Sequence, residues 1–481
     1  MSADAAACAE RAPLADITGS PRPAPPAAAA DRQALARAAI LHGPILPTLV
    51  KLALPMLAVL IAQTAVNVAE AYYVGFLGTD ALAGVALVFP VFMLMMTMSN
   101  GGFGSGVASA VARAVGAGRQ RDADALVLHS LVVAAVAGAL FTAGAVCGGP
   151  ALYRALGGRN DALAAALQYS DYLFAGSIPV WIVNLLAAAL RGAGNVKVPA
   201  AVTLVGALVL IPTSPALIFG FGPIPRLGIA GAGIAFGLYY VGAMLVLLRY
   251  MASSRAGLAL RLTRLEARLF ANILRVGLPT ALNALQTNLT VILVTAAVGL
   301  FGVDALAGYG IASRLDYVLI PILFGLASAV LTMVGVNMGA GQVERARRVA
   351  WLGGLAGVLL TEAIGVTVAI SPGLWLRLFS RDPNVLLPAA TYLHIVAPAY
   401  GALGLGFVLG FAAQGTGHVL WPFAGVTVRM LIAAGLGWVA VSFLGGGMAM
   451  LAAVVTGSLA VYALISAMTM VSRAVWRGAG G

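Results

Sequence analysis

Gln63, Asn67 and Glu70 lie inside a long apolar run that begins at Pro55. On an α-helix, positions i, i+4 and i+7 share one face, so the run would present two amides and a carboxylate together. A carboxylate in the middle of a membrane span is costly unless it is paired, neutralised or turned towards water, and it marks a functional site by default. Glu70 has two chemical options. It can hold a cation as an anion, or it can change its own charge by taking up a proton. Asn67, one turn earlier, offers it both a donor and an acceptor. The alternative role for Glu70 is a structural buried acid that helps pack the helices.

The stretch that carries these residues occurs twice. Pro55 and Pro279, Gly75 and Gly299, Gly78 and Gly302, and Asp80-Ala-Leu-Ala-Gly84 and Asp304-Ala-Leu-Ala-Gly308 stand 224 residues apart. Further on, Gly116-Ala-Gly118 recurs as Gly339-Ala-Gly341, and Gly192, Gly194 and Pro199 recur as Gly415, Gly417 and Pro422, at a spacing of 223. The second copy keeps the frame and drops the acid, since Val294 stands opposite Glu70.

The elements that position these residues follow from composition. The chain has 481 residues, 61% hydrophobic and 9% charged, against about 25% charged in an average soluble chain. It reads as an all-α polytopic membrane protein. Twelve apolar runs reach the roughly 20 residues that a spanning helix needs: 52–76, 83–110, 124–147, 162–190, 197–221, 228–250, 271–300, 305–334, 348–370, 385–413, 420–443 and 447–471. With the repeat, this predicts twelve transmembrane helices in two pseudo-symmetric six-helix bundles. An even number of spans per copy inserts both copies the same way up, related by an axis along the membrane normal.

Residues 1–43 are rich in Ala and Pro and lack the compact apolar core of a signal peptide, which predicts a disordered cytoplasmic tail. The first bundle is expected over 44–250, a cytoplasmic linker over 251–270, the second bundle over 271–472 and a short cytoplasmic tail over 473–481. The part of the linker region around 263–275 reads as an amphipathic helix at the inner surface. Of the 28 Lys and Arg residues, 21 fall on the side of the N-terminus, 5 on the other side and 2 within spans. This bias places both termini in the cytoplasm.

The net charge of +12 does not imply nucleic acid, because the basic residues sit in short segments between apolar runs and form no stripe. Cys8 and Cys147 make no disulfide framework, and His42, His129, His394 and His418 are too scattered for a metal cluster. Lys51 and Lys197, the only lysines, do not follow a glycine, so there is no Walker A loop; HExxH and GxSxG are also missing. These features exclude the familiar enzyme classes and predict no cofactor and no metal.

Taken together and in order, the motifs resemble the multidrug and toxic compound extrusion (MATE) transporter family over residues 44–472. They are Pro55, Asn67-Val-Ala-Glu70 before Tyr73-Val-Gly75, the Gly-Ala-Gly loop after the second span, Arg191-Gly-Ala-Gly-Asn195 with Pro199, Ala312-Ser-Arg-Leu-Asp316, and Gly415-Thr-Gly417. The resemblance implies two bundles around a central cavity. It also implies export of cationic or amphipathic compounds across the inner membrane in exchange for protons or Na+. Such proteins typically carry Asp at the first-span position; here it is Glu70. The sodium-driven branch with a Glu in the seventh span has no match, the nearest register being Thr287. The resemblance brings Asn184 to the Glu70 and Asn67 coupling site.

Gln63, Tyr73, Asn283, Gln286, Thr287, Asp316 and Glu362 are the expected cavity-lining groups. On the seventh span, Asn283, Gln286, Thr287 and Thr290 form a neutral polar stripe. It serves either as a wall facing water and guest or as a set of inter-helix hydrogen bonds. Glu362, mid-span in the ninth helix, is the second candidate for the coupling acid. Arg314 and Arg429 are the two basic residues within spans, and Arg429 and Glu362 are candidate partners for Arg314 and Asp316. The expected partners of the protein are small organic cations, protons or Na+, and the lipid bilayer, with the chain acting as a monomer. Two other readings stand beside this one. A lipid-linked precursor flippase needs a cationic cavity, and a membrane-embedded transferase needs clustered acids or a His–acid pair.

Overall fold

The computed structural model describes residues 27–222, 225–253 and 256–476. Among the described residues, eleven helices are long and apolar enough to cross a membrane, and a bent pair taken as one span supplies a twelfth. The first six spans are Ile45–Gly75, Thr79–Gly116, Gln120–Ala155, the pair Asn160–Ala175 and Ser177–Gly192, Lys197–Phe219 and Ile229–Ala252. The last six are Ala267–Gly299, Val303–Gly339, Val343–Ile370, Pro383–Thr416, Leu420–Ser442 and Met448–Val471. The chain is thus an all-α membrane protein with two six-span lobes.

The repeat reappears in the backbone. Gly78 and Gly302 precede the second and eighth spans with φ of 111° and 101°. Gly118 and Gly341 share φ of 70° and 75°, and Gly194 and Gly417 share 83° and 87°. Only glycine enters that left-handed region without strain, so the sequence repeat marks turns the backbone needs in both copies. The fourth span bends by 47° between Ala175 and Ser177. The equivalent tenth span breaks into a 3-10 turn at Ala397–Ala399. Broken helices at membrane depth need side chains to meet the freed backbone groups. Thr142 Oγ1 donates to the Phe174 carbonyl at 2.7 Å, and the Glu362 carboxylate accepts from the Gly401 N–H at 2.7 Å.

The drop in repeat spacing from 224 to 223 has a structural counterpart. Gly84 to Gly116 contains one residue more than Gly308 to Gly339. Between them the second span carries a π-helical turn, Met98–Phe103. A π-turn absorbs a single inserted residue within an α-helix and is often found at functional sites.

The contacts that join the lobes run from the end that carries the linker to the middle of the spans. Ser109 Oγ donates to the Gln414 carbonyl, and Arg113 donates to Ser109 and to the Gly415 carbonyl. In the reverse direction Thr332 Oγ1 donates to the Arg191 carbonyl at 3.2 Å. Glycines allow the backbones to touch: Gly116 lies on Val336 and Gly339 on Arg113, while Gly102 and Gly106 lie on Ala281, Ile273 and Gly277.

Three expectations change. Residues Ala27–His42 form a helix, where a disordered tail is expected. Arg37 Nη2 ties it to the Gly116 carbonyl at 2.8 Å, and Arg345 ties it from the other lobe through the Ile40 carbonyl at 3.2 Å. Residues 1–26 and 477–481 lie outside the described residues. No separate surface helix covers 263–275: Ala267 already begins the seventh span. The linker before it is anchored by polar contacts instead. Asp124 accepts from the Ala259 N–H at 3.0 Å, and His129 Nε2 accepts from the Glu266 N–H at 2.9 Å. Finally, Arg473–Trp476 at the expected C-terminal tail is a short helix.

Candidate functional site

The first span runs unbroken through Pro55 and carries Gln63, Asn67, Glu70 and Tyr73. Glu70 Oε1 is buried without a hydrogen-bond partner. Tyr169 of the fourth span stands in its neighbourhood. Asn67 is exposed, and among the described residues no hydrogen bond joins it to Glu70. Tyr73 is partly buried beside the core and meets Tyr72 edge-on at 6.0 Å.

Gln63 and Asn184 line one small cavity, of about 30 Å³, with Met56, Asn100, Arg191 and Thr203 among its walls. Asn184 is buried, and its Nδ2 donates to Ser99 Oγ in the π-turn at 2.8 Å. Glu70 does not line this cavity. It lies seven residues beyond Gln63 on the same helix, roughly 10 Å along the axis. The structure therefore joins Gln63 with Asn184 and sets Glu70 apart from both, in the half of the lobe away from the linker.

The second lobe holds its own polar groups. Gln286 Nε2 donates to Thr427 Oγ1 of the eleventh span at 2.9 Å, while Gln286 Oε1 and Asn283 Oδ1 are buried without partners. Thr287 and Thr290 donate to backbone carbonyls one turn back, at 2.9 and 2.7 Å. The stripe is thus partly committed to packing. Asp316 begins the helical segment after the kink in the eighth span, and Tyr400 directs its hydroxyl at it. Arg429 lies in the neighbourhood of Asp316, with no ion pair between them within 4 Å among the described residues, and it stands 5.9 Å over the Tyr462 ring. Arg314 lies over Phe379 at 5.3 Å.

Glu362 has a structural duty. Its Oε2 caps the helix that restarts after the break in the tenth span, where free N–H groups and the helix dipole favour an anion. Glu362→Ala should lower stability by about 1–3 kcal/mol, the cost of orphaning a buried donor. Glu362→Gln keeps an acceptor oxygen and should retain both melting temperature and export. Loss of export in a stably folded Gln variant would return Glu362 to the coupling role.

Sequence reasoning missed Asn100 and Ser99, and it named Arg191 as a family landmark without placing it in the cavity. The signal that pointed to its neighbourhood was the one-residue change in repeat spacing.

The comparisons agree with this architecture. The MatE family model matches the chain twice, over residues 55–216 and 279–439. The chain is 28% identical over 381 residues to the FAD transporter of Shewanella oneidensis, covering 77% of this chain and 82% of the relative. It is 26% identical over 377 residues to the probable multidrug resistance protein NorM of Thermotoga maritima, covering 78% and 81%. It is 23% identical to the multidrug export protein MepA of Staphylococcus aureus, covering 78% and 82%. Among solved structures, MATE in the bent conformation superposes with a TM-score of 0.84 at 23% identity, covering 91% of this chain and 97% of that one.

Proposed function

We propose that this chain, which belongs to the MatE family and is a multi-pass membrane transporter and not an enzyme, is a secondary antiporter. It exports cationic or amphipathic organic compounds across the inner membrane in exchange for protons. One observation carries the reading: Glu70 keeps a carboxylate oxygen inside the first lobe with no hydrogen-bond partner, and the second copy has Val294 there. An acid used only for packing would find a partner, because an unpaired buried acceptor is unfavourable.

With the linker and both termini cytoplasmic, the closed seam is the inner gate and the molecule opens outwards. In that state a proton from outside neutralises Glu70, and a cationic guest held by its charge is released. Deprotonation towards the inside restores the anion for the next guest. Proton and guest thereby compete for one charge. Sodium is the second candidate ion; it needs several oxygens converging on one point, and Glu70 stands without an amide partner.

Efflux from proteoliposomes in sodium-free buffer tests the ion. An imposed pH gradient alone should drive export of a cationic dye. Export that stays absent until a sodium gradient is added would overturn the proton assignment and leave the antiporter reading in place. The Shewanella relative is named for FAD, so the same vesicles should also be tested with FAD. Export of FAD with none of any cation in the panel would overturn the cationic guest.

A further inference from the structure

The first lobe contains a buried cation that the proposed antiport does not use. Arg191 ends the fourth span and is only 7% exposed. Its Nη2 donates to Asn100 Oδ1 at 2.9 Å, while its Nε has no partner. Among the described residues no carboxylate stands within ion-pair distance of it. Yet it lines the small cavity, whose other polar groups, Gln63, Asn100, Asn184 and Thr203, are all neutral. A guanidinium inside an apolar bundle is strongly disfavoured unless an anion meets it. Glu70 is not that anion, since it lies outside the cavity lining.

Two features argue that the charge is not merely packing. The matching position in the second copy, 223 residues on, is Gln414, equally buried and neutral. A residue at this corner of a lobe therefore folds without a charge. Moreover, the first copy alone carries the inserted residue and the π-turn Met98–Phe103. That turn presents Asn100 to Arg191. Since Asn100 Oδ1 accepts from Arg191, its amide NH2 remains available as a donor beside the guanidinium.

We propose that this cavity is a phosphate-binding site, in which Arg191 and Asn100 hold a phosphate group between the first, second, fourth and fifth spans. A guanidinium fork with a neighbouring amide supplies several donors and no competing acid, which suits a tetrahedral oxyanion. The phosphate comes either from a soluble ion or ester or from a lipid headgroup. The site stands whatever the exported guest and the coupling ion are.

The purified full chain in detergent, followed by its melting temperature, tests the site without any transport. At constant ionic strength, sodium phosphate is compared with sodium chloride, and dioctanoyl phosphatidylglycerol with dioctanoylglycerol, which lacks the phosphate. The expected result is a saturable rise of roughly 2 °C or more with one of the phosphate probes, as ligand binding to the native state requires. A rise with inorganic phosphate assigns a soluble ligand; a rise with the lipid alone assigns a headgroup. Arg191→Gln should lose the rise. Thr203→Leu, which fills the cavity and leaves the guanidinium in place, should lose it too and guards against a folding defect in the first variant. No rise with either probe, or a rise undiminished in both variants, would overturn the proposal.

Discussion

Glu70→Gln should reduce export to the level of cells without the transporter, with the protein still inserted and produced in normal amount. Gln matches Glu in size and keeps an acceptor oxygen, so packing against the fourth span survives. What it loses is the ability to cycle between charged and neutral. Dye accumulation in overproducing cells, with the amount of membrane protein measured alongside, checks this. The effect should be nearly complete because the equivalent position of the second copy, Val294, carries no acid to substitute. Full export in the Gln variant would leave Asp316 as the acid to examine next. Among the described residues it is the other span carboxylate with a buried oxygen lacking a partner, but it already has Tyr400 and Arg429 as neighbours. Glu362, tied to the Gly401 N–H, is less free to move.

The sequence made the fold legible because membrane helices are encoded by length and apolarity, and every expected span overlaps a helix of the structure. The repeat was legible because glycines needed for left-handed turns, such as Gly194 and Gly417, cannot be replaced cheaply. The helix Ala27–His42 was not legible. Its order rests on Arg37 and Arg345 reaching carbonyls far away in the chain, and such contacts leave no local pattern. The site was legible in part. Periodicity puts Gln63, Asn67 and Glu70 on one helix face, but it cannot say which neighbour covers each. Asn184 went to Gln63 rather than to Glu70, because the π-turn presents Ser99 to it. A spacing that falls from 224 to 223 announces an insertion; only packing shows that the extra residue delivers Asn100 to Arg191.

Gly116→Ala should cut the export rate by roughly tenfold or more while leaving each lobe folded. A Cβ at Gly116 would stand 2.8 Å from the Val336 carbonyl carbon and 2.9 Å from its Cα, with no nearer neighbour in its own lobe. These are backbone atoms, so no side chain can rotate away, and the lobes must part at the linker end. Overpacking of this kind costs about 1–3 kcal/mol. Here the cost falls on one conformation, the one with the seam closed, and a shift of about 1.4 kcal/mol already changes a two-state population tenfold. Gly339→Ala should act alike, because its Cβ would meet Arg113 and Ala117 of the first lobe. Two other glycines separate gating from folding. Gly192 packs on Ala108 inside its own lobe, so Gly192→Ala should lower the melting temperature instead; Gly75 has open space around it, so Gly75→Ala should change neither quantity. The gate itself is read by crosslinking a cysteine pair placed across the second and eighth spans at the linker end. Gly116→Ala should reduce the crosslinked fraction in parallel with export. Undiminished crosslinking with export lost would show that the glycine contact serves something other than closure.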